Sequence, residues 1–151
     1  MPAARSSPLV AARAAPSCRR NAAALPRTVL ARPRRLTRGD DYRFVVRRGA
    51  RCAGANTVTH VIMTAEPRAA RFGFIVSKAV GNAVTRNTVR RRLKAVCAEA
   101  LPEVREGADV VIRALPSAAT ASFQDLRAEV KRCLARRAAA GDARSERSPS
   151  R

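Results

Sequence analysis

From Lys78 to Lys94 the chain carries Lys78, Arg86, Arg90, Arg91, Arg92 and Lys94 without one carboxylate. That composition suits the gripping of phosphates. On a helix, Arg86, Arg90 and Lys94 fall on one line at i, i+4 and i+8, with Asn87 and Arg91 beside it. Like charges at that spacing repel, so the line costs helix stability until something negative neutralises it. Arginine fits the task, because its planar fork binds two phosphate oxygens at once. Asn87 adds an uncharged donor and acceptor for a base edge or a 2′-hydroxyl. Gly81 and Asn82 precede the helix, where glycine permits an unusual turn or a close approach. The bland alternative is a solvated basic face; the absence of acids and the strand–turn–helix junction weigh against it.

Other chemistry finds little support. The one histidine, His60, and the lack of clustered carboxylates give no acid–base or metal nuclease site. Cys18, Cys52, Cys97 and Cys133 lie far apart with no Cys-x-x-Cys pair, so zinc has no plausible ligand spacing. Two disulfides are possible in principle. No recognisable secretory signal places the chain in an oxidising compartment, however, and Cys97 is expected to be a buried free thiol.

The whole chain shares the cationic bias. Its 151 residues include 31 Lys plus Arg against 11 Asp plus Glu, a formal charge of +20. Such a field favours a polyanion, either nucleic acid or an anionic membrane surface. No apolar run approaches the roughly 20 residues needed to span a bilayer, and a cytoplasmic protein is expected.

The elements that must position the basic line are legible from periodicity. Residues 1–28 are Arg-, Ala-, Ser- and Pro-rich and free of acids, so they are expected to be a disordered extension. They also resemble a transit peptide, and Val29 is a candidate alternative start. Without their five arginines the charge is still +15. Leu36 to Arg48 predicts a short helix with Asp40 and Asp41 in its first turn, where the dipole favours acids. Thr57–Thr64 and Arg71–Ser77 read as strands, and the phenylalanines of the second are expected in the core. Val89, Leu93, Val96, Cys97 and Ala100 make the apolar stripe of the basic helix. Ala108–Arg113 reads as a buried strand. Ser122 is a good N-cap for a last helix with Phe123, Leu126, Val130 and Leu134 inward. One domain at 29–137 and a disordered tail at 138–151 are expected. The class is α+β, a two-layer α/β sandwich in the order α-β-β-β-α-β-α.

At the basic line the sequence resembles a known family. FGFIVSKAVGNAVTRNTVRRRLK is similar to the signature of the bacterial ribonuclease P protein, an Arg-Asn-Arg run after Lys-x-x-Gly-Asn-Ala-Val. Upstream, RRLTRGDDYRFVVRRG resembles the family's first helix; downstream, ADVVIRALPSAATASFQDLRAEVKRCL resembles its last strand, loop and helix. The likeness runs from about Leu30 to Ala138.

The resemblance implies a left-handed βαβ crossover, against the usual preference. It also implies a subunit of an endoribonuclease that removes the 5′ leader of precursor tRNA. Its partners would be a catalytic RNA and the precursor, with no obligate protein partner and no membrane. The RNA would perform the hydrolysis, with Mg²⁺ held mainly by RNA and substrate. Carried over by position, Lys78, Gly81, Asn82, Arg86, Asn87, Arg90, Arg91 and Lys94 would contact the catalytic RNA. Tyr42, Val46 and His60 would line the leader cleft. Val46 and His60 stand where relatives often have aromatics, and Thr88 stands where the second Arg of the run is expected. Arg92 is a candidate to compensate, on another helical face. A structural RNA-binding protein such as a ribosomal protein is the main alternative. A DNA-binding protein would want a helix-turn-helix that the sequence does not offer.

Overall fold

A run of arginines and then two acids open the described residues. In the computed structural model, residues 30–145 are described, with side chains through Ala138; the expected extension at residues 1–28 lies outside them. A single 3₁₀ turn, Arg32–Arg34, gives way to an extended Arg35–Leu36, whose backbone bridges to Phe72. Helix α1 (Gly39–Arg48) carries Asp40 and Asp41 in its first turn and Arg47 and Arg48 in its last, so both ends complement its dipole. Four strands follow, β1 (Ala50–Ala53), β2 (Thr57–Met63), β3 (Arg71–Val76) and, after helix α2 (Ala83–Ala100), β4 (Ala108–Ala114). Helix α3 (Phe123–Ser145) is the last described element.

The strands form one sheet in the order β1-β2-β4-β3. β1 and β2 form an antiparallel hairpin, β4 lies antiparallel to β2, and β3 pairs with β4 in parallel through the α2 crossover. The α+β class and the element order match the sequence-based expectation. Strand alternation sorts the faces. Phe72, Val110 and Ile112 join Val89, Leu93 and Val96 of α2 and Leu126 and Val130 of α3 in the main core. On the other face, Val111 packs against Leu36 and Val45, with Tyr42, Ile62 and Ile75 around them. One helix cannot cover a four-stranded face. Part of the sheet therefore stays open beside α1, where Arg51 and Arg113 are exposed.

Three tethers fix these layers. Asp109, 3% exposed at the start of β4, accepts two hydrogen bonds from Arg71 (2.8 and 2.9 Å) and one from Arg68 (2.8 Å). Arg71 also reaches Asp41 at 3.4 Å, linking α1 to β3 and β4. Glu129 of α3 binds the β1–β2 turn, accepting from Asn56 N and Nδ2 and from Thr57 N and Oγ1 at 2.8–3.1 Å. Thr57 is fully buried, so Glu129→Ala strands donors away from water. We expect a loss of about 2 kcal/mol, read as a lower urea midpoint with an unchanged slope.

The third tether corrects an expectation. Cys52 of β1 and Cys133 of α3, 81 positions apart, form a disulfide with Cα atoms 5.7 Å apart. Sequence separation hides this pairing, because Cys52 faces α3 only through the register Cys52↔Thr59. Cys97 is the expected buried free thiol, and burial pushes its pKa well above the ordinary thiol value.

α3 runs to Ser145, past residue 138 where a disordered tail was expected. Alanine, four of the eight residues from 138 to 145, is the strongest helix former. Reciprocal bonds start the helix: Ser122 Oγ accepts from Asp125 N at 3.1 Å, and Asp125 Oδ2 accepts from Ser122 N at 3.3 Å.

Candidate nucleic-acid interface

The basic helix begins with a turn that only glycine makes easily. After a 3₁₀ turn over Lys78–Val80, Gly81 takes φ 149° and ψ −162°, in the positive-φ region that side chains disfavour. A Cβ there would also press on Thr85 at 3.2 Å. Asn82 then caps α2, its Oδ1 accepting from Thr85 N at 2.8 Å. Two residues expected at the RNA surface thus have a local task as well: they set the direction in which α2 leaves the sheet. Lys78 and Asn82 are both exposed.

Burial divides the remaining basic residues. Val89, Leu93, Val96, Cys97 and Ala100 are buried as expected. Arg86, Arg90 and Lys94 lie along one edge of that stripe and are half-buried, whereas Asn87 and Arg91 are exposed. Two surfaces result. Arg90 and Lys94 line a groove together with Arg35, Leu36, Thr37, Tyr42, Phe72 and Phe74. Asn87 and Arg91, with Ala83, Val84 and Thr88, line a shallow depression on the outer side of α2.

The groove is cationic and aromatic at once. Burial, then the neighbouring Arg35 and Arg90, pull the Lys94 ammonium below its usual pKa. A phosphate arriving there would relieve that repulsion. Tyr42 packs over β3 because Gly73 leaves room: a Cβ on Gly73 would stand 2.5 Å from the tyrosine ring. Its hydroxyl donates to the Leu36 carbonyl (3.1 Å) and accepts from Phe74 N (3.3 Å). Tyr42 is therefore rigidly held, with part of its surface facing the groove.

Val46 and His60, the other two residues expected at the cleft, are not among those lining this groove. Val46 is 38% exposed on α1. His60 sits on β2, separated from β3 by β4, and is not brought into the groove with Tyr42. It is 8% exposed, and its Nδ1 is buried with no hydrogen-bond partner among the described residues. Burial, followed by Arg51 and Arg113, lowers its pKa below the ordinary histidine value. Its contribution to stability is accordingly present above the unfolded pKa of about 6.5 and lost as pH falls toward the folded one.

The family model described as Ribonuclease P matches residues 30–138, the span that holds every element up to the last turns of α3. The chain belongs to the ribonuclease P protein family. It is 46% identical over 108 residues to the ribonuclease P protein component of Clavibacter michiganensis subsp. michiganensis, covering 72% of this chain and 96% of that one. Against the corresponding protein of Rhodococcus opacus it is 44% identical over 114 residues, covering 72% and 91%. The fold is similar to that of the Staphylococcus aureus RNase P protein, with a TM-score of 0.60 at 22% identity over 67% of this chain and 92% of that chain. The Thermotoga maritima RNase P protein gives a TM-score of 0.60 at 19% identity, covering 68% and 96%.

Membership makes the chain a protein component of the tRNA 5′-processing endoribonuclease, with RNA as its partner. No helix among the described residues is long and apolar enough to cross a membrane. Arg92, on another face of α2, donates from its guanidinium to the Ala121 carbonyl at 3.1 Å and ties α2 to the turn before α3. Four residues escaped the sequence reading. Arg35 and Phe74 line the groove, and Arg51 and Arg113 flank His60. Strand alternation could have placed Arg113 on the face of Asp109 and Val111; nothing local could have placed Arg35.

Proposed function

We propose that this ribonuclease P protein docks on the catalytic RNA through α2 and receives the 5′ leader of precursor tRNA beside α1. Lys78, Arg86, Asn87, Arg90 and Arg91 carry the docking contacts, with Gly81 and Asn82 setting the start of the helix. The leader lies in the groove of Arg35, Tyr42, Phe74, Arg90 and Lys94 and continues across the open sheet face past Val46 and His60. The observation that carries this reading is the shared groove: half-buried cations and a rigid tyrosine meet on one surface. A basic groove with aromatic walls is the common solution for single-stranded RNA, where stacking contributes about 1–3 kcal/mol per base.

The chemistry in this reading belongs to the RNA. Mg²⁺ bound to it would activate the attacking water and stabilise the leaving oxygen. The groove's own charged side chains are cations and would repel a divalent ion, so they do not fit a dedicated Mg²⁺ site. Among the described residues Asp41 and Asp109 are engaged by Arg71. The protein's part is to hold two RNAs in register and to offset phosphate repulsion where they approach.

The test is cleavage of a labelled tRNA precursor by the cognate catalytic RNA at low Mg²⁺, with and without the chain. Stimulation that yields the mature 5′ end is expected. Tight, salt-sensitive RNA binding without stimulation would instead indicate a structural RNA-binding protein.

A further inference from the structure

The open half of the sheet carries a second cationic constellation. Arg51 of β1 is the direct cross-strand partner of His60 on β2. Arg113 of β4 pairs with Val58, two residues from His60 on the same face. Cross-strand and diagonal neighbours on one face lie within reach of long side chains, so two arginines bracket one imidazole. Both are exposed, and neither guanidinium has a carboxylate partner among the described residues. His60 between them is 8% exposed, with a buried nitrogen lacking any hydrogen-bond partner.

No acid balances this group. From β4, Val111 stands directly opposite His60. Asp109 lies on the same face but is held by Arg68 and Arg71. Helix α1, which packs against both β2 and β4, has Arg47 and Arg48 in its last turn. Its acids are at the far end, where Asp41 meets Arg71 and Asp40 meets Arg43. Among the described residues every unpaired charge around His60 is therefore positive, in a place where a buried base waits without a partner. A site of this kind fits an anion, and arginine forks fit the oxygens of a phosphodiester.

We propose that Arg51 and Arg113 clamp a backbone phosphate of single-stranded RNA, and that His60 beneath the clamp takes up a proton from solvent as the RNA seats. The proposal rests on the reading of this face as the continuation of the leader track. It adds a mode of recognition to that track: phosphate capture linked to pH. Without RNA, burial and the two arginines keep the imidazole neutral. A bound phosphate replaces that positive surrounding with a compensated one, which favours the imidazolium. By linkage, RNA then binds more tightly as pH falls.

Histidine occurs once in the sequence, so its ring proton resonance can be followed by NMR without assignment. The full chain is titrated from pH 5 to 8 alone, with a single-stranded oligoribonucleotide, and with an abasic ribose-phosphate oligomer. We expect both oligomers to raise the apparent pKa of His60 by about one unit, equivalent to a roughly tenfold gain in affinity across the transition. Arg51→Gln and Arg113→Gln, both at exposed positions, should each remove much of the shift, and His60→Gln should make affinity independent of pH over this range. An unmoved resonance with RNA bound overturns the proposal. So does a shift produced by the base-bearing oligomer alone, or one undiminished in both arginine variants. The readout needs no cleavage: an unmoved titration beside full stimulation of precursor processing rejects the clamp and leaves the functional reading standing.

Discussion

Asp109→Ala is expected to lower unfolding stability by about 3 kcal/mol, the lower end of what breaking a buried ion pair costs. Two geometric facts set that value. The Asp109 side chain is 4% exposed, so its charge is taken from water and returned by Arg68 and Arg71. The arginines are a quarter exposed and keep Glu66 and Asp41 as partners, which limits the loss. Against a typical total of about 5–15 kcal/mol, this is a large fraction. Urea unfolding followed by circular dichroism measures it, and Asp109→Asn separates charge from volume. A fall below about 1 kcal/mol for both variants would mean that the network is effectively solvated. Arg71 joins Asp109 to Asp41 of α1, so loosening it should also blur the seat of Tyr42 and weaken leader binding more than catalytic-RNA binding.

The second large effect is on affinity. Combined Arg86→Ala and Arg90→Ala should weaken binding to the cognate catalytic RNA about a hundredfold. The figure assumes two charge-assisted hydrogen bonds at about 1.5 kcal/mol each. The salt dependence should flatten as well, since every phosphate that is no longer neutralised takes nearly one unit off the slope on duplex RNA, by analogy with B-form DNA. Folding should respond in the opposite sense. Removing like charges at i and i+4 relieves about 0.2–0.5 kcal/mol of repulsion, so the variant should melt at the same temperature or slightly higher. Filter binding at several salt concentrations, beside thermal melts, separates the two. Unchanged affinity in a folded variant would remove these arginines from the interface.

Opposite responses of stability and binding are what a functional charge line looks like. A helix selected only for stability would alternate its charges. α2 and the turn before it instead keep residues 78–94 free of acids, and the repulsion becomes useful when an RNA backbone arrives. Glu129 and Asp109 show the other use of charge: each is an acid satisfied by several donors, and each pins a structural element.

The sequence by itself determined the local patterns. The 3.6-residue stripe of Val89, Leu93, Val96 and Cys97 specified α2 and, through it, the side on which Arg86, Arg90 and Lys94 must lie. β-Branched composition and alternation marked β2 and β3, a short apolar run marked β4, and Ser122 marked the start of α3, because capping acts over one turn. The motif from Lys78 onward was enough to indicate the family.

Tertiary structure decided everything that depends on register between distant segments. Cys52 and Cys133 meet because β1 turns its inner face to α3. Arg35 and Tyr42 share a groove with Arg90 and Lys94 because the arm before α1 runs beside β3. Arg51 reaches His60 only through one hairpin register, and a slip of one residue would send it to the opposite face. That α1 lies on the face away from α2 and α3, leaving half of it open, follows from where Val45 and Val111 find each other. Local periodicity reports which side of an element is apolar. It carries no information about which partner will cover that side, since burial is indifferent to sequence distance.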